Sequence, residues 1–338
     1  MKWGTGMPAT TAREIPEARA DLAAWAADRG RTGMANWLHC FMSPEGRASY
    51  DDLLPPGITT TQALAARTAA GLRAAELFYV TTDMTALAHH AATSLTDFEM
   101  RPEDLPAPVG MLLFEDPPIR NEAAGNQPVR LVTWGPWLGH LAIDYWSGTR
   151  EYLDQVDAAQ AEFNANTTPA ASTAWLREKF AHVKPGQMAD IHPPHGFTYL
   201  RTTLIEPGTP DLTDTPEADV ALLRLVQATW LLMGQSLATS ERVAADRASR
   251  RRIQRLGPDY GTEVRLIRLR RARTERGTDP AERPGTREYQ HRWVVRGHWR
   301  NQYFPSRDAN RPIWISPYIA GPENAPLIGG EKVFVLAR

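Results

Sequence analysis

A single cysteine, Cys40, stands in 338 residues, which excludes an intrachain disulfide and fits a reducing cytoplasm. Lysine is almost missing: only four of the 38 basic residues are lysine, so arginine forks carry nearly all the positive charge. No stretch reaches the roughly 18 consecutive apolar residues of a membrane span. The N-terminal MKWGTGMPATTAREIPEARADLAAW has no uninterrupted apolar core, so no signal peptide is expected. A cytoplasmic location follows as the expectation. Walker loops, GxGxxG, GxSxG, HExxH and paired CxxC motifs are all absent. Their absence argues against nucleotide hydrolysis, dinucleotide chemistry, the nucleophile elbow and zinc catalysis.

What remains is a chain of ordinary globular composition, 42% hydrophobic and 23% charged, long enough for a sizeable core. Its formal net charge of -1 conceals an uneven distribution. Glu241–Arg311 carries an excess of about ten positive charges, and Met1–Ser240 an excess of about eleven negative ones. Such a split points to a polyanion site on the basic part.

The pattern of apolar residues, caps and breakers predicts an alternation of helices and strands. Helices are expected over Pro16–Ala27, Met34–Met42, Gln62–Ala74 behind a threonine cap, Met84–Ser94, Thr149–Phe163 and the densely apolar Glu217–Met233. Thr82 or Asp83 is the expected cap of the Met84 helix. Strands are expected over Leu77–Thr81, Val109–Glu115, Val129–Trp134, Leu141–Trp146, Phe197–Ile205 and Val264–Leu269. Asn121–Asn126 reads as a hairpin loop, Asn164–Ser172 as a polar break, and Arg271–Pro284 as a charged loop. A last short strand is expected over Val333–Leu336. The order fits α+β with antiparallel sheets and not a doubly wound parallel sheet.

Two stretches concentrate the basic charge. The first, ERVAADRASRRRIQRLG, reads as a helix from about Ser240 to Leu256 that turns Arg250, Arg251, Arg252 and Arg255 outward and leaves Ala248 and Ile253 for the core. Such a face can neutralise several phosphates without reading bases. The alternative is a solvated face bridged to the acidic part. The second, YQHRWVVRGHWRNQY from Tyr289 to Tyr303, alternates like a strand. Tyr289, His291, Trp293, Val295 and Trp299 fall on one side, and Arg292, Arg296, His298, Arg300 and Gln302 on the other. Arginine forks bind phosphate in two-pronged fashion, and Trp299 and the neighbouring Trp314 can stack on bases or support the arginines. Packing of arginine stems over rings is the structural alternative. Gly297 suggests a bulge or a close backbone approach, either of which re-aims His298. With such a bulge, His298 and His291 can share a site as acid and base, since imidazole titrates near neutrality.

Other histidines carry weaker signals. His182, His192 and His195 with Asp190 have a metal-like spacing, but IHPPHG is a rigid loop without cysteine, and no metal or other cofactor is expected. His89 and His90 diverge by about 100° on a helix and cannot share an ion. Asp144 and Glu115 stand at strand ends with no partner identifiable in the sequence.

The segments AAELFYVTTDMTALAHHAATSL with EDLPAPVGMLLFE, and HRWVVRGHWRNQYFPS with RPIWISPYIAGPENAPLIGGEKVFVL, resemble a group of actinobacterial proteins of plasmids, phages and integrated elements. The resemblance covers most of the chain, and H-R-W-x-V-R-G-H-W-R-x-Q is its most specific part. It brings no catalytic residue with it. It implies a bacterial, cytosolic, mobile-element setting, with nucleic-acid work, toxin action and phage conflict as themes.

The expected architecture is an acidic N-terminal α/β unit over residues 1–165, a connecting strand and buried helix over 166–240, and a basic C-terminal module over 241–338 with a long helix and a small antiparallel sheet. The leading expectation is a nucleic-acid-binding protein contacting DNA or RNA through Arg250, Arg251, Arg252, Arg255, Arg292, Arg296, Arg300, Gln302, Trp299 and Trp314. A metal-independent ribonuclease or toxin using His298 and His291 is a second reading. A protein-interaction component, docking its acidic part on a basic surface, is a third.

Overall fold

The structure, a computed structural model, describes residues 11–95, 100–121, 127–184, 196–206, 212, 217–257, 260–270, 291–322 and 326. The expected readings at Asp190, His192 and His195, over Arg271–Pro284, at Tyr289 and over Val333–Leu336 lie outside the described residues.

The fold is α+β and is organised on one mixed seven-stranded sheet in the order β7-β6-β5-β2-β1-β9-β8. Its strands are β1 Glu76–Val80, β2 Gly110–Phe114, β5 Leu131–Trp137, β6 His140–Gly148, β7 Phe197–Ile205, β8 Ala238–Ala244 and β9 Glu263–Leu269. A short hairpin, β3 Ile119–Asn121 with β4 Gln127–Val129, precedes β5 and flanks the loop read at Asn121–Asn126. β1 runs parallel to both neighbours, β2 and β9, and every other pairing in the sheet is antiparallel. Central β1 is buried on both faces, which is why LFYV is a continuous apolar run without alternation.

Period-two geometry sends Leu77 and Tyr79 to one face, and Phe78 and Val80 to the other. The first face packs against α1 Ile15–Ala27, α2 Met34–Phe41 and α4 Thr60–Ala74 through Ile15, Leu22, Trp37, Leu38, Leu64 and Leu72. The second packs against α5 Thr82–Thr93 and α8 Glu217–Met233 through Met84, Ala88, Leu222, Leu225 and Trp230. Three layers with a core on each side of the sheet result. The threonine cap expected at α4 is formed, and as a full capping box: Thr59 accepts from Gln62 N, and the Gln62 side chain accepts from Thr59 N.

Several boundaries differ from expectation. Helix α3, Pro44–Asp51, was not anticipated; Ser43 caps it. The break after α6 Thr149–Asn166 is short, because Pro169 opens α7 Pro169–Lys179, a position where its missing N–H costs nothing. The basic helix does not begin near Ser240. Residues 238–244 pair with β9 as an edge strand, and α9 spans Arg247–Leu256 behind an Asp246 cap. The boundary expected at 240/241 thus falls inside β8, and the one at 165/166 inside α6.

The two carboxylates without partners in the sequence acquire them here. Asp144, 2% exposed on β6, receives Arg67 from α4, Thr133 Oγ1 at 2.9 Å and Thr202 Oγ1 at 2.5 Å. Glu115, just beyond β2, accepts from Thr82 N at 2.8 Å and Thr82 Oγ1 at 3.0 Å, and so caps α5 from a neighbouring strand. Among the described residues no helix is long and apolar enough to cross a membrane.

Candidate nucleic-acid interface

Helix α9 lies in the connection between β8 and β9. Asp246 starts it, its carboxylate accepting from Ala248 N at 2.7 Å and Ser249 N at 2.8 Å. Those backbone donors, Ser249 foremost, hold the Asp246 carboxyl below its ordinary range. The inner face is Ser249 and Ile253, which pack with Ala20 of α1 and Ala245; Ala248, expected to point inward, is exposed. Arg252 departs from its expected phosphate role. It is tied to Glu17 of α1, with Nη2 to Oε2 at 2.6 Å, while Ser249 Oγ donates to the same oxygen at 2.7 Å. The Arg252 hydrogen bond lowers the Glu17 pKa, and Glu17 raises that of Arg252. Arg252 is therefore a tether between helices.

The outer face reads Arg247, Arg250, Arg251, Gln254 and Arg255, spaced i, i+3, i+4, i+7, i+8, and all five are exposed. Among the described residues its four arginines make no ion pair. They span about 12 Å of helix axis at 1.5 Å per residue. Arg247 and Gln254 were missed by the sequence reading, because a helix begun at Ser240 leaves the outer stripe undefined. The signal was present: an aspartate cap followed by R-x-x-R-R-x-x-Q-R.

The second basic stretch forms a hairpin in two pieces. β10 Trp293–Val295 pairs with β13 Tyr318–Ala320, and β11 His298–Phe304 pairs with β12 Ala309–Ile315. Residues 296–297 stand opposite 316–317. The counts match, so the bulge expected at Gly297 is not formed, and nothing shifts His298 onto the side of His291. Of the two readings of Gly297, the close approach is the one formed: a Cβ there would stand 2.4 Å from Cζ2 of Trp314.

Two tryptophans of the hairpin face the body. Trp314 is 4% exposed within the α5–α8 core, its backbone N–H donating to Gln235 Oε1 at 3.0 Å. Trp299 packs on it at 5.4 Å and donates Nε1–H to Ala91 O at 2.8 Å. Of the two roles expected for this pair, stacking on bases or support, their packing is that of supports. Trp293, placed with the core face, is only partly buried. Arg311 is bound to Asp104 at 2.5 Å. Arg296, His298 and Arg300 are exposed; Arg300 donates to Gln302 Oε1 at 2.6 Å, and the His298 ring meets Arg296 O at 3.0 Å. Arg292 is half-buried, its backbone N–H donating to Pro326 O. Tyr303 and Tyr318, about half exposed, are the rings this hairpin offers to solvent.

Among the described residues the two basic surfaces do not meet. α9 rests on α1, on the first face of the sheet, and the hairpin rests on α5 and α8, on the second. Among the described residues no cluster of histidine, cysteine or carboxylates is arranged to hold a metal ion.

The chain matches no family model, no curated protein and no solved structure.

Proposed function

We propose that the protein binds nucleic acid, in the setting of a bacterial mobile element, through phosphate contacts from the outer face of α9. The observation that supports this most is the contrast within one helix. Arg252 is committed to Glu17, whereas Arg247, Arg250, Arg251 and Arg255 are exposed on a single stripe and make no ion pair among the described residues. A helix stripe of four guanidinium forks suits a row of phosphates and carries little base information. Arg296 and Arg300 form a separate, secondary surface on the far side of the molecule.

Fluorescence anisotropy with duplex DNA, single-stranded DNA and RNA across a salt series tests the reading. If each of the four arginines neutralises one phosphate, log K falls against log salt with a slope of about -3 to -4. Replacing Arg247, Arg250, Arg251 and Arg255 together with glutamine is expected to abolish binding and leave the melting temperature unchanged. Replacing Arg296 and Arg300 is expected to leave most of the affinity. A folded protein that binds none of the three at low salt overturns the proposal.

A further inference from the structure

At the β7 edge of the sheet, far from α9 along the strand order, helices α2, α3, α6 and α7 enclose a cavity of about 520 Å³. This is the size of a small-molecule site. Six rings line it: Trp37, Phe41, Tyr152, Trp175, Phe180 and Tyr199.

The rings are braced before any ligand arrives. Trp37 meets Phe41 at 5.0 Å and Tyr199 edge-on at 6.2 Å, and Phe41 meets Phe180 edge-on at 6.3 Å. Tyr199 is anchored from behind: its hydroxyl lies 2.6 Å from Thr202 Oγ1, which donates to the buried Asp144. Trp175, 45% exposed, stands against Phe163 at 5.3 Å.

The polar groups of the wall have one character. Glu178 contributes an exposed carboxylate, Glu45 a second that already has an interaction of its own, and among the described residues no lysine or arginine lines the space. The nearby Arg47 is turned away, donating to His39 O at 3.0 Å. His182 also lines the cavity, and its Nε2 is buried with no hydrogen-bond partner among the described residues. In the Nδ1–H tautomer that nitrogen is an acceptor. The Cys40 thiol is pushed up by burial and stays protonated, so the site holds no ready nucleophile.

Each ligand class meets this wall differently. An anion meets carboxylates and an aromatic wall. A neutral apolar molecule fills the space but leaves His182 Nε2 unsatisfied. An ammonium group on an aromatic or aliphatic body is attracted by ring faces and carboxylates alike, and its N–H can donate to His182. We propose that this cavity binds an organic ammonium compound, with its apolar body among the rings and its charged nitrogen toward Glu178 and His182.

Three near-isosteric probes separate charge from shape: phenethylammonium, 2-phenylethanol and phenylacetate, each titrated calorimetrically into the full chain near neutral pH. Saturable binding of phenethylammonium is expected, at least about tenfold tighter than the alcohol, with no measurable binding of phenylacetate. Glu178→Gln is expected to weaken the cation about threefold or more and leave the alcohol unchanged. Trp175→Ala is expected to weaken both. The four-arginine variant of α9 is expected to bind phenethylammonium like the wild type, which keeps this site separate from the nucleic-acid reading. Alcohol and cation binding equally, or no saturable binding of the cation up to about 10 mM, overturns the proposal.

Discussion

Glycine shows how one residue type does opposite work in one chain. Gly71 lies inside α4, and a Cβ there would meet nothing within 4 Å. Gly71→Ala is expected to raise stability by about 0.5–1 kcal/mol, the helix preference of alanine. At Gly297 the same change drives a methyl into the buried Trp314 ring. Gly297→Ala is expected to destabilise by about 1–3 kcal/mol through overpacking. Urea melts of the two variants check both signs. His39 offers a residue-scale pH test. Its pKa is lowered, first by burial and then by Arg47, His182 and Lys184, so the folded state favours the neutral ring. A depressed histidine contributes stability above its unfolded value, about 6.5, and loses it as pH falls through the folded value. Wild type is therefore expected to lose more melting temperature than His39→Gln between pH 8 and about pH 5.5.

Helix α9 is the element on which the functional reading rests, and its geometry depends on its first residue. Asp246 holds two backbone N–H groups that the helix cannot satisfy itself. Asp246→Ala is expected to lower the melting temperature and speed amide exchange in the first turn, where Arg247 and Arg250 lie. Nucleic-acid affinity is expected to fall with it, although no phosphate contact is removed. The same loss is expected in wild type as pH drops below about 4, since a carboxyl with a depressed pKa caps only while ionised. Hydrogen exchange at both pH values measures the cap directly. The hairpin is held differently, by rings: Trp314 inserts between α5 and α8, and Trp299 closes over it.

At the scale of the whole molecule, those two rings connect the C-terminal hairpin to the body. Trp314→Ala is expected to cost about 3–5 kcal/mol, as for other large core truncations, and to loosen the hairpin. Binding through α9 is expected to survive in that variant under conditions where it stays folded, because α9 sits across the sheet on α1. Melting curves and anisotropy on one preparation distinguish the two effects. The acidic and basic parts of the chain also meet at this scale. Glu17 to Arg252, Glu76 to Arg265 and Asp104 to Arg311 join the acidic stretch to the basic one. Part of the charge asymmetry is consumed inside the fold, and the arginines left over define the outer stripe of α9.

The α+β class, the strand at Phe197–Ile205 and the helix at Glu217–Met233 could be read from the chain because they rest on local rules: periodicity, caps and β-branched runs act within a few residues. The clustering of arginine in two stretches was legible for the same reason. What the sequence did not contain was the pairing of distant groups. Whether Ala238–Ala244 is helix or strand was decided by β9, whose edge it satisfies. Whether Arg252 faces phosphate or Glu17 was decided by the packing of α9 on α1. Asp144 and Glu115, without partners along the chain, were completed by Arg67 and by the first turn of α5. The aromatic cavity, too, assembles residues from Trp37 to Leu200 that no spacing rule connects. Hydrogen bonds, ion pairs and ring contacts form between whichever surfaces the folded layers bring within a few ångströms. That choice belongs to the tertiary structure, which here set the two basic surfaces apart on opposite faces of one sheet.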